Sequence, residues 1–98
     1  RVPVVVDGGF LRGADVVKAL CLGADTVGMG RFEGFAMAAG GGSALVQALK
    51  ILEHEIQITM ALLGVRTLEE LTSDMVERAE IMSAASVTSA FPFFSEGY

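Results

Sequence analysis

The fold is decided by two stretches, V-P-V-V-V-D-G-G at residues 2–9 and T-V-G-M-G-R at residues 26–31. Each is a short apolar run that ends in glycine beside a charged residue. A continuous run of β-branched residues such as Val4–Val6 is typical of a parallel strand that is buried on both faces. Apolar positions at helical spacing over 13–22 predict a helix between the two runs. The sequence therefore predicts a strand–helix–strand unit of α/β class, with the second strand ending at Gly30.

The glycines at the two predicted strand ends indicate a phosphate site. Gly8, Gly9 and Gly30 allow backbone N–H groups to approach a ligand closely, as a phosphate group requires. Arg31 adds a planar guanidinium group, which pairs well with a phosphate dianion. Because parallel strands end at the same edge of a sheet, we expect these groups to form one phosphate cradle at the carboxyl edge of a parallel barrel.

Composition favours a chain that packs against further protein. Hydrophobic residues make up 52% of the 98 positions, and the mean hydropathy is +0.55. Both values are high for a small domain with so much surface for its volume. The chain also starts at Arg1, in the approach to a strand and without an initiator Met. We expect the chain to be the C-terminal piece of a larger polypeptide, either cleaved or one subunit of a split protein.

Several classes of function are disfavoured. A net charge of −5 without a basic cluster argues against nucleic-acid binding. No apolar run approaches the about 18–20 residues that span a bilayer, and no signal peptide is visible, so we expect a cytoplasmic protein without a membrane partner. The single cysteine, Cys21, is interpreted as a small buried apolar residue. His54, on a polar helix face without a second histidine, is interpreted as a solvated or interface residue, and no metal site is expected.

The second half of the chain is predicted to be mainly helical. A short helical turn and a flexible break over 34–42 lead into a long helix over 43–63, and a short helix follows at about 74–82. T-L-E-E forms a capping box with Thr67 as N-cap and Glu70 at the third helical position. The long helix carries one apolar stripe: Leu45, Leu49, Leu52, Ile56, Met60 and Leu63.

The C-terminal tail is too aromatic for an inert disordered end. Its aromatic side chains are Phe91, Phe93, Phe94 and Tyr98, and Pro92 excludes a helix interior. We expect the tail to pack either on its own barrel or on a neighbouring subunit, and the sequence leaves both alternatives open.

Three ordered blocks carry a family resemblance. They are D-G-G-F-L-R-G-A-D-V-V-K-A-L-C-L-G-A at 7–24, V-G-M-G-R at 27–31 and I-T-M-A-L-L-G-V-R-T-L at 58–68. Over roughly residues 1–71 the chain resembles the FMN-dependent α-hydroxy acid oxidases and dehydrogenases, which include glycolate oxidase, lactate oxidase and mandelate dehydrogenase. Residues 72–98 contribute little to this resemblance.

The resemblance implies the C-terminal part of a (β/α)₈ TIM barrel, namely strands 7 and 8 with their helices. Residues 1–71 would form this part, and 72–98 would be a helix and tail that pack on the barrel or a neighbour. A companion chain or N-terminal segment would carry strands 1–6 and the catalytic histidine, which lies in an H-G-G-R motif upstream of Arg1 in the family. The assembled barrel is expected to form a homo-oligomer.

The resemblance also assigns FMN-binding residues. Asp7 would bond the ribityl chain, while the following loop would present backbone groups to the phosphate end and Gly30 and Arg31 would close on the phosphate. Leu11 stands where the family has its first phosphate arginine, which reduces that contact to a backbone amide, and Arg12 aligns with the second arginine. The proline that usually follows G-R is Phe32 here. The full candidate set is Asp7, Gly8, Gly9, Phe10, Leu11, Gly30 and Arg31.

The implied activity is oxidation of a small 2-hydroxy acid to a 2-oxo acid by hydride transfer to flavin. This chain would hold the FMN phosphate and supply no catalytic residue. Two alternatives stay open. One is a related FMN barrel of isomerase or synthase type, and the other is a non-catalytic subunit that serves assembly.

Overall fold

The computed structural model describes residues 1–80. Strand β1 (Val5–Asp7) leads to helix α1 (Gly13–Cys21), and strand β2 (Thr26–Gly28) follows. The two strands pair in parallel, with Val5 opposite Thr26 and Asp7 opposite Gly28. The predicted strand–helix–strand unit is therefore confirmed.

A long helix, α2 (Gly30–Leu63), follows β2 after a single residue. The prediction that the second strand runs to Gly30 is wrong, because β2 ends at Gly28 and Gly30 is the first residue of α2. The chain turns at Met29 (φ −144°, ψ 54°), whose carbonyl accepts the N–H of Glu33 at 3.2 Å. Helical hydrogen bonding thus starts earlier than the glycine pattern suggested.

Strand β1 remains exposed within this chain, whereas β2 is partly buried. Val5 is 64% exposed and Val6 is 39% exposed, although the run of valines predicted burial on both faces. A two-stranded sheet has two open edges. Within residues 1–80, α1 and α2 pack against β2 at Val27, and the valines of β1 stay exposed.

The core lies between α1 and α2. It is centred on Val17, which is 2% exposed, and on Phe10, Val16 and Leu52. Cys21 is buried, which confirms its interpretation as an apolar core residue.

Helix α2 is divided by two glycines. Gly40 and Gly41 have non-helical dihedral angles, and Gly41 adopts the left-handed region at φ 68°, where a side chain would be strained. The predicted break is confirmed, but the preceding piece is a full helical segment rather than a short turn. Of the predicted apolar stripe only Leu52 is buried, while Leu49 remains exposed.

The length of α2 corrects one expectation. Within residues 1–80, Gly30–Leu63 is a helix that is long and apolar enough to cross a membrane by length and composition alone, with a mean hydropathy of 1.4 over its best stretch. From the sequence we expected no apolar stretch of that length, because residues 34–42 and 43–63 were interpreted as two separate helical segments. The same test is passed by helices that pack within proteins, and α2 packs its Leu52 into the core.

After α2 the chain forms two three-residue 3₁₀ turns, Leu68–Glu70 and Ser73–Met75. The capping box is confirmed, since the Glu70 carboxylate accepts the N–H of Thr67 at 2.9 Å. The helix predicted at 74–82 is wrong over residues 76–80, because Val76 is extended (φ −124°, ψ 147°) and half-buried. The end of that helix and the aromatic tail (Phe91, Phe93, Phe94 and Tyr98) lie outside the described residues.

Candidate phosphate-binding site

The two glycine-bearing strand ends lie side by side. Asp7 pairs with Gly28 across the sheet, and the N–H of Gly8 donates to the Gly28 carbonyl at 3.4 Å. A Cβ on Gly28 would overlap the carboxylate of Asp7, so glycine is required there for this close packing. The parallel pairing thus places the Asp7 carboxylate directly beside the turn that leads into α2.

The loop after β1 uses left-handed backbone. Gly8 and Gly9 have φ values of 100° and 80°, which side chains rarely tolerate. Phe10 is buried and packs with Val16 and Leu52, so its side chain holds the loop to the core. Leu11 has an exposed side chain. The loop therefore has an anchored apolar residue between its glycines and the start of α1.

The N-terminus of α1 is closed by two carboxylates. Asp15 Oδ2 accepts the backbone N–H of Leu11 at 3.2 Å and of Arg12 at 3.0 Å. Glu55, on α2, accepts the N–H of Gly13 through Oε2 at 2.7 Å. Three consecutive amides at this end, those of residues 11–13, are therefore already bound by acidic side chains.

Arg12 is committed to the same carboxylate. Its Nε donates to Glu55 Oε1 at 2.9 Å and its Nη2 lies 2.7 Å from that oxygen. The hydrogen bond from Arg12, and then that from the Gly13 amide, holds the pKa of Glu55 below its ordinary value. The same pair raises the pKa of Arg12. Arg12 therefore links the start of α1 to α2 through its pair with Glu55.

The N-terminus of α2 is different. Its N-cap residue, Met29, provides no side-chain hydrogen bond to the first turn. Within residues 1–80, apart from its chain neighbours and the helix backbone, no atom lies within 4 Å of where a Cβ on Gly30 would stand. Arg31 is exposed beside it, and Glu33 lies in the same turn. The backbone N–H groups and the dipole of a helix N-terminus favour an anion.

The structure brings most of the predicted site residues to one edge of the sheet. Asp7, Gly8 and Gly9 end β1 or follow it, and Gly30 and Arg31 follow the adjacent β2. Leu11 differs, because its amide donates to Asp15. The individual roles of these residues in FMN binding stay predictions.

Sequence reasoning missed three carboxylates that organise the unit. Asp15 had a local signal, an acidic residue in the first turn of α1. Glu55 had none, because it lies 42 residues from Gly13. Asp25 accepts the N–H of Val4 at 2.7 Å, and this bond, followed by that from Arg1, lowers its pKa. It fixes the amino ends of the strands, away from the glycine loops.

Within residues 1–80 no three His, Cys, Asp or Glu side chains gather where they could hold a metal ion. His54 is exposed on α2, as the polar stripe predicted.

Comparison with known proteins gives consistent matches. The family model of FMN-dependent dehydrogenases matches residues 1–78. L-lactate dehydrogenase (cytochrome) of Wickerhamomyces anomalus is 39% identical over 98 residues, 100% of this chain and 17% of that protein. Glycolate oxidase 2 of Oryza sativa subsp. indica is 49% identical over 72 residues, 74% of this chain and 20% of that protein.

Solved structures agree. A soluble mutant of the membrane-associated (S)-mandelate dehydrogenase of Pseudomonas putida superposes with a TM-score of 0.76 at 38% identity, over 79% of this chain and 22% of that one. A flavocytochrome b2 variant with sulfite bound superposes with a TM-score of 0.74 at 37% identity, over 98% of this chain and 25% of that one.

The chain spans about a fifth of the length of the curated relatives it matches. The family match covers well over half of the chain, and it confirms both the resemblance and FMN as the cofactor of the family. The chain belongs to the family of FMN-dependent dehydrogenases.

Proposed function

We propose that this chain holds the phosphate end of FMN in an oxidoreductase that converts a 2-hydroxy acid to a 2-oxo acid. The observation that carries the proposal is the pairing of Asp7 with Gly28, which sets the two glycine-bearing strand ends side by side. The open N-terminus of α2 begins two residues after Gly28. The proposal places the phosphate group between these elements.

Use of the backbone amides favours the α2 side of this edge. Before and at the start of α1, the amides of residues 11–13 already donate to Asp15 and Glu55. At the α2 end Met29 makes no capping hydrogen bond, and the first turn carries Arg31 as well as Glu33. Arg31 is therefore the main cationic partner in the proposed site.

In the proposed site the residues of this chain bind FMN and orient it. The carboxylate of Asp7 would accept hydrogen bonds from ribityl hydroxyls. The left-handed turn at Gly8 and Gly9 would present the amides of Gly9 and Phe10 to the ligand, since the Gly8 amide donates to the Gly28 carbonyl. Bound FMN supplies a flavin ring that accepts a hydride from the substrate. Leu11 adds little, since its amide is held by Asp15.

The proposed architecture is the C-terminal part of a TIM barrel, with β1 and β2 as its strands 7 and 8. The exposed valines of β1 and the exposed apolar residues of α2, such as Leu62 at 85%, support contact with further protein. Residues 1–71 form this part, and 72–98 pack on the barrel or a neighbour. A companion chain or N-terminal segment supplies strands 1–6, and the assembled barrel forms a homo-oligomer in the cytoplasm.

The catalytic histidine belongs to that other segment. It takes the proton of the substrate as general base, so this chain carries no catalytic residue. The lactate and glycolate enzymes among the relatives support a small 2-hydroxy acid as substrate.

The experiment is to purify the complete protein that contains this chain and record its visible spectrum. We expect an oxidised flavin band that is bleached by a 2-hydroxy acid under anaerobic conditions. A colourless complex would favour a non-catalytic assembly subunit. A flavin that no 2-hydroxy acid reduces would favour a related FMN barrel with other chemistry.

A further inference from the structure

The loop at residues 8–12 is held at both ends. On one side Gly8 remains attached to β2 through the Gly28 carbonyl. On the other side the chain enters α1 at Gly13, whose N–H is bound by Glu55 of α2. The path of the loop therefore depends on where α2 holds the start of α1.

The Glu55 carboxylate contacts two residues at that point. Oε2 accepts the Gly13 N–H at 2.7 Å and also lies 3.1 Å from Arg12 Nε, while Oε1 lies 2.7 Å from Arg12 Nη2. The Glu55 side chain is 23% exposed, so solvent has limited access to it. One carboxylate thus fixes two consecutive residues.

The backbones approach closely at the same place. A Cβ on Gly13 would lie 2.5 Å from Glu55 Cβ and 2.6 Å from the Ile56 nitrogen, and Gly13 is buried. The absence of a side chain at residue 13 lets the carboxylate reach the amide without an intervening water.

We propose that Glu55 is a positioning residue for the cofactor phosphate, which acts by holding Arg12 and Gly13 and thereby the loop that carries the Gly9 and Phe10 amides. The inference rests on the proposed function. Glu55 itself does not contact the phosphate.

A carboxylate is required because all the surrounding groups are donors. Glutamine at residue 55 would offer one carbonyl oxygen and would turn its N–H₂ group toward Gly13 or Arg12. Two facing donors form no hydrogen bond, so the contact of residue 55 with Gly13 or with Arg12 would be lost. The Arg12 side chain would then turn to Asp15, which already accepts the Leu11 and Arg12 amides. The α1 side of the loop would then be held by the Phe10 side chain and by Asp15, without the contact to α2 through Glu55.

The test compares FMN with riboflavin, which has the same ring and ribityl chain but no phosphate. Dissociation constants for both are measured on the deflavinated complete protein, in the wild type, in Glu55→Gln and in Glu53→Gln. Glu53 is the matched control, an exposed carboxylate on the same helix.

In the wild type FMN binds more tightly than riboflavin. Glu55→Gln is expected to weaken FMN about tenfold, as loss of charge-assisted hydrogen bonds predicts, while riboflavin affinity stays within about twofold. Glu53→Gln leaves both affinities unchanged. Arg12→Gln, which keeps the Gly13 contact, gives a smaller loss of FMN affinity and serves if Glu55→Gln does not fold.

An equal loss of FMN and riboflavin affinity in Glu55→Gln would show that Glu55 only supports the general fold. Unchanged FMN affinity in Glu55→Gln and Arg12→Gln would also overturn the inference. A wild type that binds FMN and riboflavin equally would contradict the proposed phosphate site itself, which is a separate failure.

Discussion

The two helices of this chain begin in opposite ways, although each follows a parallel strand at the same sheet edge. At α1 the Gly13 amide is bound by Glu55, and Asp15 binds the two amides before it, so these donors are already used. At α2 the N-cap residue Met29 makes no side-chain hydrogen bond, and within residues 1–80, apart from its chain neighbours, no side chain lies within 4 Å of where a Cβ on Gly30 would stand. Two helix N-termini of similar dipole therefore differ in what they can bind, because one is already satisfied from within the protein.

The largest expected effect comes from making the α2 end resemble the α1 end. Gly30→Asp would place a carboxylate where an added side chain meets no atom. Because like charges brought together cost several kcal/mol, FMN affinity should fall by about a hundredfold or more. An acidic residue in the first turn stabilises a helix, so unfolding should not become easier. Flavin titration and thermal unfolding measure the two effects.

The control for this variant is Gly30→Asn, which has similar volume without charge. Loss of FMN affinity in Gly30→Asn as large as in Gly30→Asp would show that space, not charge, governs the α2 end.

The next effect concerns the closed end. Gly13→Ala would force a methyl group against Glu55 Cβ and the Ile56 backbone, each within 2.6 Å. Such overpacking typically costs about 1–3 kcal/mol, so chemical denaturation of the complete protein should show a loss in that range. Gly34→Ala, in α2 where an added methyl meets no atom within 4 Å, is the control and should be neutral or stabilising. A neutral Gly13→Ala would mean that the two helices are not in close contact at this point.

A smaller difference separates the two arginines. Arg31→Ala should weaken FMN retention more than Arg12→Ala does, by about tenfold or more relative to wild type. The reason is that Arg31 lies in the first turn of α2 beside the glycine-bearing strand ends, whereas Arg12 reaches across to Glu55 between the two helices. Flavin fluorescence after dilution reports retention. Equal losses in the two variants would show that Arg12 has replaced the arginine that the family has at Leu11.

The smallest effect is a pH dependence of the closed end. Glu55 has a lowered pKa in the folded chain because of Arg12 and the Gly13 amide. Its contribution to stability is therefore present above the unfolded pKa and is lost as the pH falls through the lower folded value. The difference in unfolding free energy between wild type and Glu55→Gln should shrink as the pH is lowered through that value.

Taking the difference between wild type and Glu55→Gln cancels the contributions of the other acidic residues to the pH dependence. Asp25 and Glu70 also have lowered pKa values, owing chiefly to the Val4 and Arg66 amides, and they are present in both proteins. A difference that stays constant with pH would mean that the Glu55 contacts do not depend on its charge.

Much of this arrangement could be predicted from local sequence. The valine run and the glycines at 8, 9 and 30 predicted parallel strand ends that meet at one edge, and spacing predicted α1. The end of β2 was misplaced because Gly30 suits a strand end and a helix start equally well. Glu55 could not be predicted, since its partners Arg12 and Gly13 are brought to it only by the packing of α1 on α2.

The exposure of β1 could not be predicted from this chain either. A continuous valine run indicates two covered faces, but only further protein can cover both faces of a two-stranded sheet. The pattern is a property of the complete protein, whereas the exposure is a property of this part of it.

The most direct test of the central claim is a crystal structure of the complete protein with FMN bound, read at the phosphate group. We predict phosphate oxygens within hydrogen-bonding distance of the backbone N–H groups at the start of α2 and of the Arg31 guanidinium, with Asp15 and Glu55 still closing α1. A phosphate bound to the amides of residues 11–13, with either carboxylate displaced from them, would contradict the account.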